Sequence, residues 1–382
     1  AGTEESVSLD YKDLPRDVRG GDTLLLDDGR ITLEVVKIAN NRIYCQVKVG
    51  GELSNNKGIN RLGGGLSAGA ITEKDRLDIK EAARLEVDFL AISFPRHAAD
   101  VQEARALLVA AGGQAAIVAK IERTEAITNI EEIIQATDVI MIARGDLGVE
   151  MGDAELPALQ KRLIHKARSY NKPVITATQM LESMIHSTIP TRAEVSDVAN
   201  AVLDGTDAVM LSAETAVGKY PEKAIAAMDR VCLSAEKHLS KMSFRQRSEH
   251  TFVHVDEAIA AAAIFTANHL NIKAIIGLTE SGTTPLLMSR VRSHIPIYGL
   301  SRHATTLRRL TLYKGVYPIP FDATNIDRRV LNQAAITELE QRGILHHGDL
   351  VILTKGDLIG IHGKTNSLKI ATVGDIPNHL KS

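Results

Sequence analysis

Three apolar runs of this sequence end in residues that can hold a divalent metal ion against an anionic substrate. The first run ends in Lys120-Ile121-Glu122, the second leads from Val139 into the segment between Ala143 and Glu150, and the third ends at Thr178. Polar residues at the carboxyl ends of parallel strands form the active-site edge of α/β barrels. If the three runs are neighbouring strands, an ammonium, two carboxylates and a hydroxyl therefore meet at one edge.

Glu122 and Asp146 are the candidate metal ligands. Mg²⁺ takes oxygen ligands, usually one or two carboxylates together with substrate oxygens and water. Lys120 lies two residues before Glu122, so both side chains project to the same side of a strand. Its ammonium can stabilise negative charge on a transferring phosphoryl group or an enolate. The alternatives are that the carboxylates cap helices or pair with Arg123 and Arg144, and that Lys120 is a solvated lysine.

Three further residues have the features of substrate contacts. Gly145 permits close approach of a ligand to the backbone, and amides near the start of the following helix can hold a carboxylate or phosphate. Thr178 can donate a hydrogen bond to a substrate or relay a proton through water. Lys57 lies in a polar loop beside a glycine and can reach a nucleotide phosphate. The alternatives are a plain strand-to-helix turn at Gly145 and a solvated Lys57.

A second candidate ligand site is the segment 279–284, which follows a predicted strand and precedes a helical stretch. Its hydroxyls and amides can cradle a phosphate, and a structural turn is the alternative. The residues concerned are Thr279, Ser281, Gly282, Thr283 and Thr284. Arg290, Arg292 and Arg302 can supply positive charge, although as surface arginines they need no function.

The composition argues against several function classes. Of 382 residues, 44% are hydrophobic and 24% are charged, which is typical of a globular protein with two or three domains. The formal net charge of −2 gives no attraction for nucleic acid or an anionic membrane, and 3% aromatic residues without tryptophan disfavour base stacking. No apolar run approaches the ~18 residues that span a bilayer, and a cytoplasmic location is expected.

The hydrophobic patterns predict three domains. Residues 1–64 are predicted to form a small antiparallel sheet or barrel, with a hairpin turn at Asp28-Gly29 and an alternating stretch from Arg42 to Val49. Residues 65–236 alternate between apolar strands and helices, as in the parallel sheet of a (β/α)₈ barrel, but with five strand candidates. Residues 237–382 form a second α/β domain. Gly63-Gly64-Gly65 is predicted to be a flexible joint.

Motifs along the whole chain resemble pyruvate kinase in order and spacing, and Leu62-Gly63-Gly64-Gly65 resembles a bacterial subgroup. The motifs are Lys57-Gly58-Ile59-Asn60, Thr72-Glu73-Lys74-Asp75, Lys120-Ile121-Glu122, Ala143 to Glu150, Ala177 to Met184, Pro190 to Glu194, Leu211 to Thr215 and Gly363 to Asn366. The resemblance implies a small, mobile β-barrel domain that closes over a (β/α)₈ barrel, and a C-terminal α/β domain that carries regulation.

The resemblance also implies a reaction and the residues that perform it. The phosphoryl group of phosphoenolpyruvate would move to ADP, giving pyruvate and ATP, with Mg²⁺ or Mn²⁺ bound by Glu122 and Asp146. Lys120 would stabilise the transition state and then, with the metal, the enolate. Gly145, Asp146 and Thr178 would contact the substrate, and the proton that completes pyruvate would be relayed near Thr178.

Nucleotide, effector and assembly follow from the resemblance in the same way. Lys57 would contact the nucleotide. The segment 279–284 matches the place where the family binds phosphorylated effectors. Thr283 follows Gly282 where some members have arginine, so the effector, a phosphorylated sugar or AMP, is left open. The family resemblance implies a homotetramer.

The sequence departs from the family at its start. The family's N-terminal segment supplies the first barrel strands, a substrate-binding arginine and the Asn, Ser and Asp ligands of K⁺, and this chain has none of it. K⁺ is therefore expected from the family although its ligands are absent here. An incomplete barrel exposes apolar strand edges, so the chain alone is expected to be poorly stable and nearly inactive. Two alternatives stay open, a metal-dependent oxo-acid lyase and a non-catalytic fragment that binds effectors or partners.

Overall fold

The computed structural model describes residues 2–3, 5–55, 57–239, 252–291, 293–357 and 365–375. The chain forms two compact units, Ala1–His186 with Val209–Lys219, and Ser187–Ala208 with Tyr220–Ser382. The predicted domain bounds after residues 64 and 236 are not tested by this division and stay predictions.

A four-stranded antiparallel sheet begins the first unit. It follows helix α1 (Leu14–Asp17), and its strands are β1 (Thr23–Leu26), β2 (Ile31–Ala39), β3 (Arg42–Val49) and β4 (Ile59–Arg61), in the spatial order β3-β2-β1-β4. The predicted hairpin is confirmed, because Asp28 and Gly29 lie between β1 and β2 with φ angles of 54° and 82°. Leu24 and Leu26 of β1 are buried on one face, so alternate residues of this strand point to the core side of the sheet.

A second sheet contains five strands in chain order. They are β5 (Phe89–Ile92), β6 (Ala116–Ile121), β7 (Val139–Ala143), β8 (Val174–Ala177) and β9 (Ala208–Met210). The pairs from β5 to β8 are parallel. The helices of this region are α2 (Glu73–Arg84), α3 (Ala98–Ala110), α4 (Thr124–Thr128), α5 (Ile130–Ala136), α6 (Arg144–Met151), α7 (Leu156–Ser169), α8 (Arg192–Asp204), α9 (Ala213–Ala216) and α10 (Pro221–Leu239), with a 3₁₀ turn over Glu182–Ile185.

The apolar runs explain why these strands form a covered parallel sheet. Every residue of β7 is buried, and Ile140 and Ile142 share a core with Ile133 of α5 and Ile164 of α7. Strands that are buried on both faces have continuous apolar sequences rather than alternating ones. The charged side chains of the candidate site lie where these strands end.

The glycines between β4 and α2 are required by the backbone. Gly63, Gly64 and Gly65 have φ angles of 84°, 75° and 87°, in the left-handed region that side chains disfavour. The Gly63 amide donates to the Glu150 carbonyl oxygen at 3.0 Å, and the Gly65 amide donates to the Glu125 carboxylate at 2.7 Å. The segment is therefore hydrogen-bonded to α4 and α6, and its flexibility stays a prediction.

The second unit contains a mixed sheet. Its strands are β10 (Ile272–Leu278), β11 (Ile297–Ser301), β12 (Val316–Pro320), β13 (Leu350–Gly356) and β14 (Thr365–Thr372), in the order β12-β11-β10-β13-β14 with only β14 antiparallel to its neighbour. Helices α11 (Val255–His269), α12 (Thr283–Ser289), α13 (Ala304–Leu310) and α14 (Leu331–Gln341) accompany it. Apolar clusters lie on both faces of this sheet, with Ile275 in one and Ile276 in the other.

Candidate active site

Lys120 and Glu122 form an ion pair at the carboxyl end of β6. The Lys120 Nζ atom lies 2.7 Å from Glu122 Oε1 and donates to Ser93 Oγ at 2.9 Å. Glu122 is 1% exposed, and its other oxygen accepts the Phe94 amide at 2.9 Å. The predicted projection of both side chains to one side is confirmed. Glu122 thus pairs with Lys120 at the strand end, while its chain neighbour Arg123 approaches Glu125 and Glu150 instead, each at 4.0 Å.

Asp146 lies in the first turn of α6, directly after the buried strand β7. Strands β6 and β7 pair in register, with Lys120 opposite Met141 and Ile121 opposite Ile142. This register brings the ends of the two strands together. Lys120 and Asp146 interact electrostatically, as do Glu122 and Asp146. The structure therefore joins the three residues that the sequence proposed as the centre of a metal site.

The two carboxylates share a region with little solvent. Burial raises the pKa of Glu122, Lys120 opposes the rise, and the charge of Asp146 adds to it. Burial also raises the pKa of Asp146, and Asp28 at the tip of the β1–β2 hairpin raises it further, against the opposing effect of Lys120. Buried carboxylates near one another favour a proton or a cation between them. The donor set thus fits a divalent cation that takes oxygen ligands.

Thr178 and Gly145 are in direct contact. The Gly145 amide donates to Thr178 Oγ1 at 2.8 Å, and the same hydroxyl donates to the Ala177 carbonyl oxygen at 2.6 Å. A Cβ on Gly145 would lie 3.6 Å from Thr178 Oγ1, which is an ordinary van der Waals contact. The glycine is therefore not required to avoid a clash with the protein. Strands β7 and β8 pair with Ala143 opposite Ala177, which places both residues at the same sheet edge as Asp146.

Lys57 lies at the tip of the small sheet and does not point freely into solvent. Its Nζ atom is 2.7 Å from Asp27 Oδ1, and this hydrogen bond lowers the pKa of Asp27. Arg30, at the other end of the same hairpin, lies 3.3 Å from Glu182. The hairpin therefore contacts the segment after β8. The charge of Asp28, which lies between Asp27 and Arg30 in the chain, raises the pKa of Asp146.

Sequence reasoning missed three polar partners of the site. Ser93 binds Lys120, and the Phe94 amide binds Glu122. Ser93 directly follows β5 and had the same signal as the other site residues, a polar side chain after an apolar run. Asn60 of β4 is 6% exposed and hydrogen-bonds the carboxylates of both Asp146 and Glu150. No local pattern reveals Asn60, because it reaches α6 from a different sheet.

The segment 279–284 of the second unit uses most of its hydroxyls within itself. The Gly282 amide donates to Thr279 Oγ1 at 2.9 Å, and Ser281 Oγ lies 2.8 Å from Thr283 Oγ1. Thr284 is buried, and its hydroxyl lies 2.6 Å from that of Thr365. Four of the five predicted effector residues thus lie in one turn, whereas the Thr284 side chain is committed to the core. Of the neighbouring motif, Gly363 and Lys364 lie outside the described residues.

The sequence suggested that Arg290 is a surface arginine, but the structure shows it buried. Its side chain and that of Asp207 are fully buried, and its Nη1 atom donates to Asp207 Oδ2 at 2.9 Å. Arg302 is more exposed and lies 3.3 Å from Glu280, and Arg292 lies outside the described residues. Burial of Arg290 escapes a sequence reading because an arginine is rarely buried unless paired, and its partner lies far away in the chain.

Two kinds of feature are absent from the part of the chain that the structure describes. In the ranges that the structure describes, no three His, Cys, Asp or Glu side chains gather as a ready-made metal cage, so a cation at Glu122 and Asp146 needs other oxygen donors. Within the same ranges, no helix is long and apolar enough to cross a membrane.

Comparison with known proteins gives the family. Residues 1–225 match the family described as pyruvate kinase, barrel domain, and residues 257–371 match pyruvate kinase, alpha/beta domain. Pyruvate kinase II of Salmonella typhimurium is 55% identical over 376 residues, which cover 97% of this chain and 78% of that protein. A pyruvate kinase of Buchnera aphidicola is 54% identical with the same coverage. One from Haemophilus influenzae is 55% identical, covering 93% of this chain and 75% of its own length.

These matches confirm the resemblance that the motifs indicated, over nearly the whole chain. Pyruvate kinases are phosphotransferases that use phosphoenolpyruvate and ADP, and the family generally uses Mg²⁺ and K⁺. The predicted fold class is confirmed by the two domain matches together with the antiparallel, parallel and mixed sheets. By its sequence and its fold, this chain belongs to the pyruvate kinase family, of the bacterial type.

Proposed function

We propose that this chain transfers the phosphoryl group of phosphoenolpyruvate to ADP, giving pyruvate and ATP, at the edge formed by the ends of β6, β7 and β8. The observation that carries the proposal is the ion pair of Lys120 with the buried Glu122, beside Asp146. An ammonium next to two carboxylates provides positive charge and cation ligands at one place, which is what phosphoryl transfer requires.

Glu122 and Asp146 would hold Mg²⁺ or Mn²⁺. Their raised pKa values reflect negative charge that burial makes unfavourable, and a divalent cation removes that penalty. Such an ion supplies positive charge to the phosphoryl oxygens and to the developing enolate. Substrate oxygens and water would complete the donor set.

Lys120 would act on the group that leaves. When an oxygen of ADP attacks the phosphorus, the bond between phosphorus and the enol oxygen breaks, and the electron pair stays on the enolate. The Lys120 ammonium, fixed by Ser93 and Glu122 at 2.9 and 2.7 Å, stabilises that charge without reorganising.

Thr178 would lie on the route of the final proton. Its hydroxyl accepts from the Gly145 amide while it donates to the Ala177 carbonyl oxygen, so it can exchange the second contact for a substrate or a water molecule. The proton adds to the methylene carbon of the enolate and yields pyruvate. A positioned proton donor or relay contributes about 10²- to 10⁴-fold to such steps.

Lys57 would bind the nucleotide. The Lys57 side chain is 37% exposed, and its ammonium pairs with Asp27 at the tip of the small sheet. A phosphate of ADP carries more negative charge than one carboxylate, so it can attract the ammonium away from Asp27. The small sheet would in this way bring nucleotide contacts to the site.

Effector binding and a homotetrameric assembly belong to the same proposal. Ser281 and Thr283 present neighbouring hydroxyls beside Gly282, which has a φ angle of 82°. Such a turn can accept a phosphorylated sugar or AMP. The geometry supports Thr279, Ser281, Gly282 and Thr283, whereas Thr284 faces Thr365.

The proposal is tested by measuring Mn²⁺ binding and pyruvate formation for the chain and for E122Q and D146N. Loss of a ligand is expected to weaken Mn²⁺ binding by at least about 10-fold, since even changes behind the ligands cost 10- to 100-fold. Free Mn²⁺ can be followed by electron paramagnetic resonance, independently of turnover. The matched control is E103Q, which removes an exposed carboxylate that pairs with Arg76 and should bind Mn²⁺ like the parent.

The outcomes distinguish the alternatives. Pyruvate formation that needs ADP, and that E122Q and D146N abolish, supports the proposal. Product release from an oxo acid without nucleotide would indicate the lyase, which the family matches disfavour. Binding of a phosphorylated effector with neither Mn²⁺ binding nor turnover would indicate a non-catalytic role. Equal Mn²⁺ binding by all four proteins would contradict the assigned site.

A further inference from the structure

The backbone at Thr178 has a rare conformation. Thr178 and Gln179 have φ angles of 66° and 53°, so two consecutive residues other than glycine lie in the left-handed region. For a β-branched residue such as threonine this is a genuine outlier, and it costs on the order of 1–3 kcal/mol. Such a turn persists only where its surroundings hold it, and it determines where the Thr178 hydroxyl points.

The side chain of Arg144 holds this turn. Its Nη2 and Nε atoms donate to the Thr178 carbonyl oxygen at 2.7 and 3.2 Å. Arg144 is only 5% exposed, and the rest of its guanidinium is also engaged. Nη1 donates to Gln160 Oε1 at 3.3 Å, and Nη2 lies 2.7 Å from Met180 Sδ. The guanidinium is thus a fixed fork between α6, α7 and the segment after β8.

The next residue along the chain completes the clamp. The Gly145 amide donates to Thr178 Oγ1 at 2.8 Å, so α6 binds the backbone of Thr178 through one residue and its hydroxyl through the next. Asp146 follows in the same helical turn. Any movement of the Thr178 turn therefore changes the distance between its hydroxyl and the carboxylate of Asp146.

We propose that Arg144 is a positioning residue for the phosphoryl-transfer reaction, whose side chain fixes the left-handed turn at Thr178 and thereby aims the Thr178 hydroxyl into the site. This inference rests on the proposed function, since it assigns the residue that supports Thr178. Arginine is required because its planar guanidinium gives two parallel donors to one acceptor and still has others for Gln160 and Met180. The single ammonium of lysine cannot reproduce this geometry.

The test is a double-mutant cycle of R144K and T178A in the full chain, with kcat and KM for phosphoenolpyruvate measured at saturating ADP. R144K keeps the positive charge and is expected to lower kcat by about 10- to 100-fold, because small misplacements of a reacting group cost up to that factor. KM should change by less than about 3-fold, since the guanidinium contacts described above are all with protein groups. In the T178A background, R144K should lower kcat by less than about 3-fold, because the group it positions is already gone.

The matched control is R123K. Arg123 is also buried, at 4% exposed, and its Nη2 atom donates to a backbone carbonyl oxygen, that of Leu66, at 3.0 Å, but no contact joins it to Thr178 in the described hydrogen bonds. Any effect of R123K on kcat should therefore multiply with that of T178A. A purely structural role of Arg144 would give the same multiplicative behaviour.

Hydrogen–deuterium exchange separates this inference from the proposed function. R144K should accelerate exchange in peptides covering 143–148 and 176–182, where the Gly145 amide and the Thr178 turn lie, and R123K should not. Faster exchange with an unchanged kcat for T178A would uphold the clamp and refute the role of Thr178 in the reaction. Unchanged exchange, or effects of R144K and T178A that multiply, would overturn the assignment of Arg144.

Discussion

The ammonium of Lys120 lies 2.7 Å from the carboxylate of Glu122, two residues later on the same strand end, and Glu122 is almost fully buried. In the proposed function, the ammonium of this pair would serve the reaction and the carboxylate would bind the cation. Because the two roles are physically separate, substitution of either residue should affect different measurements.

For Lys120, we expect K120Q to bind Mn²⁺ at least as tightly as the parent and to lose about 10²- to 10³-fold in kcat, the scale on which a single preorganised charge or donor contributes. Glu122 and Asp146 remain in K120Q, and the repulsion between Lys120 and a cation is removed. Mn²⁺ titration and the rate of pyruvate formation measure the two effects. K166Q, which breaks a surface pair with Glu131, is the control; equal losses in both variants would contradict the role of Lys120.

For Lys57, we expect K57Q to raise KM for ADP by about 10-fold, the effect of losing roughly 1.4 kcal/mol of binding, and to leave KM for phosphoenolpyruvate unchanged. The ammonium lies 2.7 Å from the hairpin carboxylate Asp27 and is proposed to meet the nucleotide. K48Q removes an exposed pair with Glu34 on the same sheet and should change neither constant. A K57Q protein with a raised KM for phosphoenolpyruvate alone would exclude the nucleotide role.

Glu150 should make stability depend on pH. Burial raises its pKa above the ordinary 4.5, so its contribution to the free energy of unfolding is fully present below pH 4.5 and is lost as the pH rises through the raised value. E150Q does not titrate. The difference in Tm between E150Q and the parent should therefore grow in favour of E150Q as the pH rises from about 4 to 7.

The control for Glu150 has the opposite sign. Lys166 lowers the pKa of Glu131, so the stability that Glu131 contributes is present above 4.5 and is lost as the pH falls through the lowered value. E131Q should be less stable than the parent at pH 7, with a gap that closes in acid. A Tm difference for E150Q that stays constant with pH would show that burial does not disfavour its charge.

Much of the fold follows from local patterns. The apolar runs Ala116–Ile121, Val174–Ala177 and Val316–Pro320 predict three strands, and β6, β8 and β12 have the same bounds. Thr72 and Thr191 are each followed three residues later by an acid, which predicts a helix start, and both capping boxes form. The sequence predicts the last strand from Lys369 to Val373, whereas β14 begins at Thr365, because pairing with β13 extends the strand through polar residues that have no apolar pattern.

The site was predictable only in part, for a physical reason. Lys120, Glu122 and Asp146 could be found because each lies at the carboxyl end of a buried strand, and parallel strands bring such ends together. The left-handed turn at Thr178 could not, because threonine disfavours that conformation and the groups that hydrogen-bond to the turn, Arg144 and the Gly145 amide, lie more than thirty residues away in the chain. Asn60 was also not predicted, because its role depends on how the small antiparallel sheet, to which it belongs, packs against α6.

Gly145 offers a test in which activity and stability should change in opposite directions. A Cβ there would lie 3.6 Å from Thr178 Oγ1, an ordinary contact, and alanine stabilises a helix by about 0.5–1 kcal/mol relative to glycine. G145A should therefore raise Tm slightly and lower kcat/KM for phosphoenolpyruvate by about 10-fold or more, because the methyl group occupies substrate space. G148A in the same helix meets only the end of the Leu156 side chain at 3.2 Å and should retain activity; equal kcat/KM for the two variants would contradict substrate contact at Gly145.

The second unit depends on a buried ion pair that the sequence did not reveal. Arg290 and Asp207 are fully buried, and Asp207 also accepts the Lys314 amide at 3.2 Å. D207N would leave the Arg290 cation buried with a neutral partner, so we expect a loss of about 3–5 kcal/mol in the free energy of unfolding of this unit, measured by urea denaturation. D327N breaks the pair of Asp327 with Arg329, whose side chains are 47% and 80% exposed, and should leave the urea midpoint unchanged. If D207N shifts the midpoint no more than D327N does, the Arg290 pair does not stabilise the fold, and the cation must find another partner when Asp207 is neutral.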